Sequence, residues 1–328
     1  MVSPKKRVAL IGAGNIANFH VPALRAAGLE VAHCASSINS KTVDSFALKH
    51  NINHVWNDPI KLLESYDLWD GVIISASVNS TLELLKEAIK SSKPILVEKP
   101  VALKSVDLIN YKNHAPSNVL VAYNRRHYST VALACKFVSD RNMVRATMTL
   151  PENVSSEMQD PYYRIHENTV HGLDMLNYIF GGVVIEHVSN IDTNNNFFGR
   201  HALLRSKLGH LISLLMNWKA PTNYSLSIDD SIERLDLLPF EKFQKYHGMK
   251  VVEPSDEYPV RQYVPNMIGS GSVFDGLPTE IKPGFLGQAK EFASLINGGV
   301  PRISATLTDA YNAQLLAENL IYHDLDNF

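Results

Sequence analysis

The sequence predicts an α/β protein with a doubly wound parallel sheet in its first half. Its second half is a further α/β domain with an open, mainly antiparallel sheet. Three observations carry this. Five short apolar runs between residues 7 and 122 alternate with helix-patterned segments. A glycine turn, Gly12-Ala13-Gly14, closes the first run. From about residue 143 the texture turns strand-like, and from 183 to 238 strand-like runs follow one another with no helices between them. A chain of 328 residues is also too long for a single small core, so two domains are expected, 1–123 and 124–328.

Taken in order, strands of the first half are read at 8–11, 31–35, 71–75, 95–97 and 119–122. Each is apolar without alternation and bounded by turn residues, as strands buried on both faces are. Helices are read at 16–27, 40–50, 80–91 and 105–114. In the third of these, Leu82, Leu85, Ala88 and Ile89 recur at helical spacing while Lys86, Glu87 and Lys90 face away, the pattern of an amphipathic crossover helix. The second half opens on a helix at 169–180 that stops at Gly181-Gly182. Strands are read at 145–150, 183–191, 201–207, 210–218, 224–229 and 232–238, an order that makes an antiparallel sheet. The stretch 250–283, rich in Pro, Gly and Ser, reads as a long loop, and helices at 287–297 and 306–323 complete the pattern. There is no internal repeat or low-complexity tract.

Composition narrows the function classes. The 45% hydrophobic and 20% charged content is that of an ordinary soluble domain. A formal net charge of -2 gives no electrostatic reason for nucleic acid or an anionic membrane as partner. Cys34 and Cys135 read as two free thiols in a reducing compartment, and neither has metal-ligand spacing, so no metal is expected. The basic first residues lead into an apolar run too short for a signal segment or a membrane span, and a cytoplasmic protein is expected.

Arg7 to Ile11 followed by Gly12-Ala13-Gly14-Asn15-Ile16-Ala17 is a strand, a glycine turn and a helix start. Gly12 permits the tight turn, Gly14 lets the backbone approach a pyrophosphate, and the small Ala17 allows close helix–strand packing. The helix N-terminus offers unpaired N–H groups to phosphate, which makes Asn15 and Ile16 candidate contacts. At the end of the second strand, where an acid usually reads the adenosine ribose, the chain has Ala35-Ser36-Ser37-Ile38-Asn39-Ser40-Lys41. Ser36 and Ser37 leave room for a 2′-phosphate and Lys41 supplies charge, so the reading leans to NADP with NAD close behind. The alternative is that Ser40 and Lys41 only cap and open the next helix.

Ile95-Leu96-Val97-Glu98-Lys99-Pro100 places a primary amine at the carboxyl end of a buried strand, where open α/β sheets bind ligands. Hydride transfer from an alcohol needs a partner for the hydroxyl proton and stabilisation of the developing alkoxide. A histidine suits the first and an ammonium the second. His171 and Lys99 are the candidates, on opposite sides of an interdomain cleft. The bland alternatives are a solvated Lys99 at a strand end and a His171 hydrogen-bonded to Asp174 three residues on.

With these motifs the chain resembles the Gfo/Idh/MocA oxidoreductases, the glucose–fructose oxidoreductase and inositol dehydrogenase family, over nearly its whole length. Ala122-Tyr123-Asn124-Arg125-Arg126 and Lys282-Pro283-Gly284-Phe285 extend the likeness. The resemblance implies an N-terminal Rossmann domain that binds NAD(P) and a C-terminal domain that carries much of the substrate site and the oligomer interface. That interface implies a homodimer or homotetramer through the C-terminal sheet. It further implies a sugar, polyol or nucleotide-sugar substrate, and cofactor contacts at Ser75, Asn79, Glu98 and Lys99. Lys99 matches the family's Glu-Lys-Pro lysine, and His171 and Asp174 match its His-x-x-Asp. Glu167 stands where many members have an aspartate four residues before that histidine; residues so spaced share a helix face, so Glu167 is a third catalytic candidate, tuning or assisting the proton exchange of His171. Asn124, Arg126, Tyr163, Arg164 and Asp174 are candidate substrate contacts, since arginine forks suit carboxylates and phosphates. Val78-Asn79 replaces the family's Pro-Asn, Leu82 stands where histidine is common, and the glycine-rich lead-in before Glu167 is missing. Two rival readings are a non-catalytic NAD(P)-binding sensor and a reductase of a non-sugar substrate on the same fold.

Overall fold

The computed structural model describes residues 4–152, 165–193, 196–218 and 220–322. They fall into two compact units. The first takes the described residues of 1–127, 166–174 and 277–318, and the second those of 128–165, 175–276 and 319–328. The leading stretch of the first unit ends at residue 127. Two later segments, placed in the second half by sequence, return to it.

The first unit is built on six strands: β1 (Arg7–Ile11), β2 (Glu30–Ala35), β3 (His54–Trp56), β4 (Gly71–Ile74), β5 (Ile95–Val97) and β6 (Val119–Val121). They pair in the order β3-β2-β1-β4-β5-β6, all parallel, which is the Rossmann arrangement. Alternation along each strand sends side chains to two separate cores. Ala9, Ile11, Val72, Ile74, Ile95, Val97, Val119 and Val121 enter one. Val8, Leu10, Val31, Ile73, Leu96 and Leu120 enter the other. Helices α1 (Ala17–Ala26), α2 (Val43–Lys49) and α7 (Phe285–Ile296) cover the second core. Helices α3 (Pro59–Glu64), α4 (Val78–Ile89) and α8 (Leu307–Tyr322) cover the first. Both faces being buried, the runs had to be apolar throughout, and truncating one fully buried leucine such as Leu10 would cost about 2–5 kcal/mol.

Two elements here lay below the sequence signal. β3 is a three-residue edge strand with two exposed positions, and α3 is a short helix whose start is capped by Asp58, which accepts from the N–H groups of Ile60 and Lys61. The expected helix at 105–114 is instead a 3₁₀ turn, Ser105–Tyr111. Asp107 and Asn110 are weak helix formers, and Glu318 on α8 takes the N–H and hydroxyl of Ser105.

In the second unit α5 (Ser129–Ser139) precedes eight strands: β7 (Arg145–Glu152), β8 (Val183–Thr193), β9 (Asn196–Ser206), β10 (Leu211–Trp218), β11 (Ser225–Asp229), β12 (Glu233–Leu237), β13 (Lys242–Val252) and β14 (Gln262–Ser272). They form one sheet in the order β14-β13-β12-β11-β7-β10-β9-β8. Every pair is antiparallel except β7 with β10. Ala146, Met148 and Leu150 on β7 and Ile212, Leu214 and Met216 on β10 are buried, and the alternate residues are not, as expected of a sheet covered on one face. The expected loop at 250–283 is corrected by β14. Its Pro265 is tolerated because β14 is the edge strand, and the ring of Phe243 on β13 lies against Gly271. α6 (Val170–Phe180) is entered through one π turn, Ile165–Thr169, so the expected helix gains an irregular first turn.

Candidate active site

The glycine turn is required by the sheet. Gly12 has φ of +98°, and a Cβ there would lie 2.2 Å from the carbonyl oxygen of Ser75 at the end of β4. Its N–H donates to Ala35 O at 2.8 Å, while Ser75 N donates to Ile11 O at 2.7 Å. The three strand ends are thereby drawn together. Gly14 is the opposite case: a Cβ there would meet nothing within 4 Å, so the bare backbone faces open space. That space is a cavity of about 430 Å³ lined by Gly12, Ala13, Gly14, Ser36, Ser37, Thr42, Pro59, Ile60, Ser75, Ser77, Ser80 and Glu83 among others. Ser75 Oγ is buried and has no hydrogen-bond partner among the described residues, which leaves it available to a ligand. Glycine backbone, hydroxyls and an apolar Pro59–Ile60 wall fit a dinucleotide, with the start of α1 beside the phosphate position.

Not every expected cofactor contact lines this cavity. Ser36, Ser37 and Ser75 do. Lys41 and Asn79 are exposed and lie outside the lining. Asn15 and Ile16 lie in the turn before α1, with Ile16 at its N-cap, and are not part of the lining. Glu98 is buried and already engaged: Oε1 meets His20 Nε2 at 2.7 Å and Oε2 accepts from Lys99 N at 3.2 Å. Thr42, Ser77, Ser80 and Glu83 were not anticipated; Ser80 and Glu83 share a face of α4 at helical spacing, a signal that solvated helix faces also give.

Lys99 and His171 both belong to the first compact unit. The cis Lys99–Pro100 peptide ends the stretch after β5, and Lys99 Nζ donates to the main-chain carbonyl of Glu167 at 3.2 Å. Glu167 lies in the π turn, so it meets Lys99 through its backbone rather than from a regular helix turn below His171. That turn is held by Gln314 on α8. Its Nε2 donates to Ala102 O at 2.6 Å and His166 O at 3.3 Å, and its Oε1 meets His166 Nδ1 at 3.2 Å. His171, in the first turn of α6, is buried against the Tyr123 ring, with centroids 5.7 Å apart, and its Nε2 meets Asn124 Oδ1 at 2.9 Å. Burial pushes its pKa well below 6.5, and the charges of Arg125, Lys99 and Lys282 push the same way. The imidazole is therefore neutral near pH 7, a state able to accept a proton.

Arg126 and Asp174, expected as substrate contacts, pair with each other in the structure. Arg126 donates from Nε and Nη2 to the two oxygens of Asp174, at 2.9 and 2.5 Å, and lies 3.2 Å from Asp309 Oδ1. Burial holds the Asp174 carboxyl up at about 6, against the pull of Arg126. With side chains 5% and 1% exposed, neither presents its charge to a ligand. Asn124 stays beside His171. Tyr163 and Arg164 lie outside the described residues. Among the described residues no cluster of His, Cys, Asp and Glu is arranged to hold a metal ion, and no helix is long and apolar enough to cross a membrane.

The first unit thus combines a six-stranded Rossmann sheet, a glycine turn and a cavity at the strand ends. Residues 6–123, the leading stretch of the first unit, match the family described as "Oxidoreductase family, NAD-binding Rossmann fold". The chain is 26% identical over 191 residues to an uncharacterised oxidoreductase, YrbE, of Bacillus subtilis, a match spanning 54% of each. It thus spans about half the length of that curated relative. An oxidoreductase from Agrobacterium radiobacter, solved with NAD+, L-tartaric acid and magnesium, superposes with a TM-score of 0.75 at 15% identity, over 99% of this chain and 98% of that one. The myo-inositol dehydrogenase of Lactobacillus casei, solved with NAD(H) and myo-inositol, superposes with a TM-score of 0.68 at 18% identity, over 99% and 96%. At these identities the superpositions show a common fold.

Proposed function

We propose that the protein is an NAD-dependent dehydrogenase or reductase acting on a hydroxyl or ketone of a sugar or polyol. The observation that carries this reading is the pair Lys99 and His171. An ammonium anchored on Glu167 O and a buried, neutral imidazole belong to the same unit as the dinucleotide cavity. The structural relatives solved with NAD and with myo-inositol support the substrate class.

In this reading Gly12, Gly14, Ser36, Ser37 and Ser75 hold the dinucleotide, which supplies hydride acceptor or donor chemistry when bound. His171 exchanges the hydroxyl proton, Lys99 stabilises charge on the reacting oxygen, and the main chain of Glu167 positions Lys99. NAD is favoured over NADP: no Lys or Arg lines the cavity, and the Glu83 carboxylate, which does, opposes a 2′-phosphate. Retention of both proton-handling groups favours an enzyme over a sensor. The two free thiols suit a cytoplasmic setting, and the open face of the second unit's sheet suits a homodimer or homotetramer.

The test is turnover on a panel of sugars and polyols with each cofactor. His171→Ala and Lys99→Ala should each lose on the order of 10²–10⁴-fold in turnover with cofactor Kd little changed. Full activity in both variants would sink the assignment, and tighter binding of NADPH than NADH would sink the cofactor preference.

A further inference from the structure

We propose that Asn124 is a positioning residue that holds neutral His171 in its Nε2–H tautomer, so that Nδ1 is the atom that exchanges the proton; the catalytic half of this rests on the function proposed above. The clamp starts from the main-chain carbonyl of Pro283, which as a carbonyl oxygen only accepts. Asn124 Nδ2 lies 3.0 Å from that oxygen. The reversed amide would set two acceptors against each other, so Nδ2 must face Pro283 and Oδ1 must face His171. Oδ1 accepts only, and it lies 2.9 Å from His171 Nε2, so Nε2 carries the hydrogen. Nδ1 is left with its lone pair, buried and without a hydrogen-bond partner among the described residues. An unpartnered buried nitrogen is what a proton acceptor awaiting its substrate looks like.

The chain is shaped to hold this clamp. Gly284, next to Pro283, has φ of +83°, and a Cβ there would lie 2.2 Å from Asn124 O and 3.1 Å from Asn124 Nδ2. Any side chain at 284 would push Pro283 off Asn124. Asn124 and Pro283 lie 159 positions apart in sequence, so their meeting is a tertiary device. The charged groups acting on His171 are the cations Arg125, Lys99 and Lys282, all of which oppose a second proton on the ring.

The test is the ¹⁵N NMR spectrum of histidine-labelled protein, with the His171 signals assigned from His171→Gln. We expect a protonated Nε2 and a bare Nδ1 in the wild type. Asn124→Leu should give a mixture of tautomers and a kcat lower by about 10²-fold, with KM changed far less. Asn124→Asp, which keeps an acceptor for Nε2–H but sets its second oxygen against the Pro283 carbonyl, should retain the tautomer and recover only part of the rate. A wild-type His171 protonated at Nδ1, or an Asn124→Leu variant with an unchanged tautomer, overturns the proposal. Where Asn124→Leu fails to fold, the wild-type spectrum decides. The expected tautomer in a protein that turns over no sugar or polyol would support the tautomer assignment and remove the proposed function instead.

Discussion

Arg126 holds Asp174 through two parallel hydrogen bonds between side chains that are both buried. The aspartate of a His-x-x-Asp motif is thus neutralised inside the protein, three residues from the histidine proposed to work. Removing one partner strands the other charge in a medium that cannot solvate it. Arg126→Ala should therefore lower stability by about 3–5 kcal/mol, read from denaturant midpoints, and Asp174→Ala by less, because Arg126 keeps Asp309 as a partner. An unchanged midpoint would show the pair to be solvated.

The two glycines of the turn separate folding from binding. Gly12→Ala puts a Cβ into Ser75 O at a positive φ, and should cost about 1–3 kcal/mol of stability as well as cofactor affinity. Gly14→Ala meets no atom of the protein, so its melting temperature should stay near wild type while the Kd for NADH rises at least tenfold. Thermal melts beside fluorescence titration of NADH check both. A Gly14→Ala variant with wild-type affinity would place the dinucleotide elsewhere.

Gln314 ties the π turn to α8 through His166 and Ala102. Gln314→Leu leaves those buried carbonyls unpaired, at about 1–3 kcal/mol, and frees the turn on which Lys99 rests. Its kcat should fall several-fold with cofactor affinity unaltered, as measured by steady-state kinetics.

The histidines set an acid limit. His171 is pushed well below 6.5 and His127 to about 4, in both cases chiefly by burial. Each folded value lies below the unfolded one, so the native state binds fewer protons. Stability is then full above about 6.5 and declines as pH falls towards about 4. His127→Gln should flatten that decline in urea titrations run across the window. The acid limb of kcat/KM should lie below 6.5, and Lys282→Met, which removes one opposing cation, should move it upward.

Much of the candidate site was legible because local patterns reported it. The turn at Gly12, the lysine at the end of β5 and the histidine opening α6 each stand at a position that element type predicts. Lys41 and Asn79 misled because a strand end or helix start shows which residues are near a site, not which way each side chain leaves the backbone. The edge strand β14 was hidden by its Pro265 and glycines, which read as loop until Phe243 is seen to cover Gly271.

The sequence by itself determined the alternating strands and helices, the two-sided burial of the first sheet and the glycine turn, since each follows from periodicity or from backbone sterics within a few residues. Only the tertiary structure decided which polar groups pair. Arg126 spends its charge on Asp174 and Asp309, Glu98 meets His20, and Asn124 reaches Pro283. The physical reason is that periodicity encodes the face an element buries, whereas hydrogen bonds between distant segments depend on how those faces come together. His171 could be named from its motif, but the nitrogen left open on it follows from a proline carbonyl more than a hundred residues away.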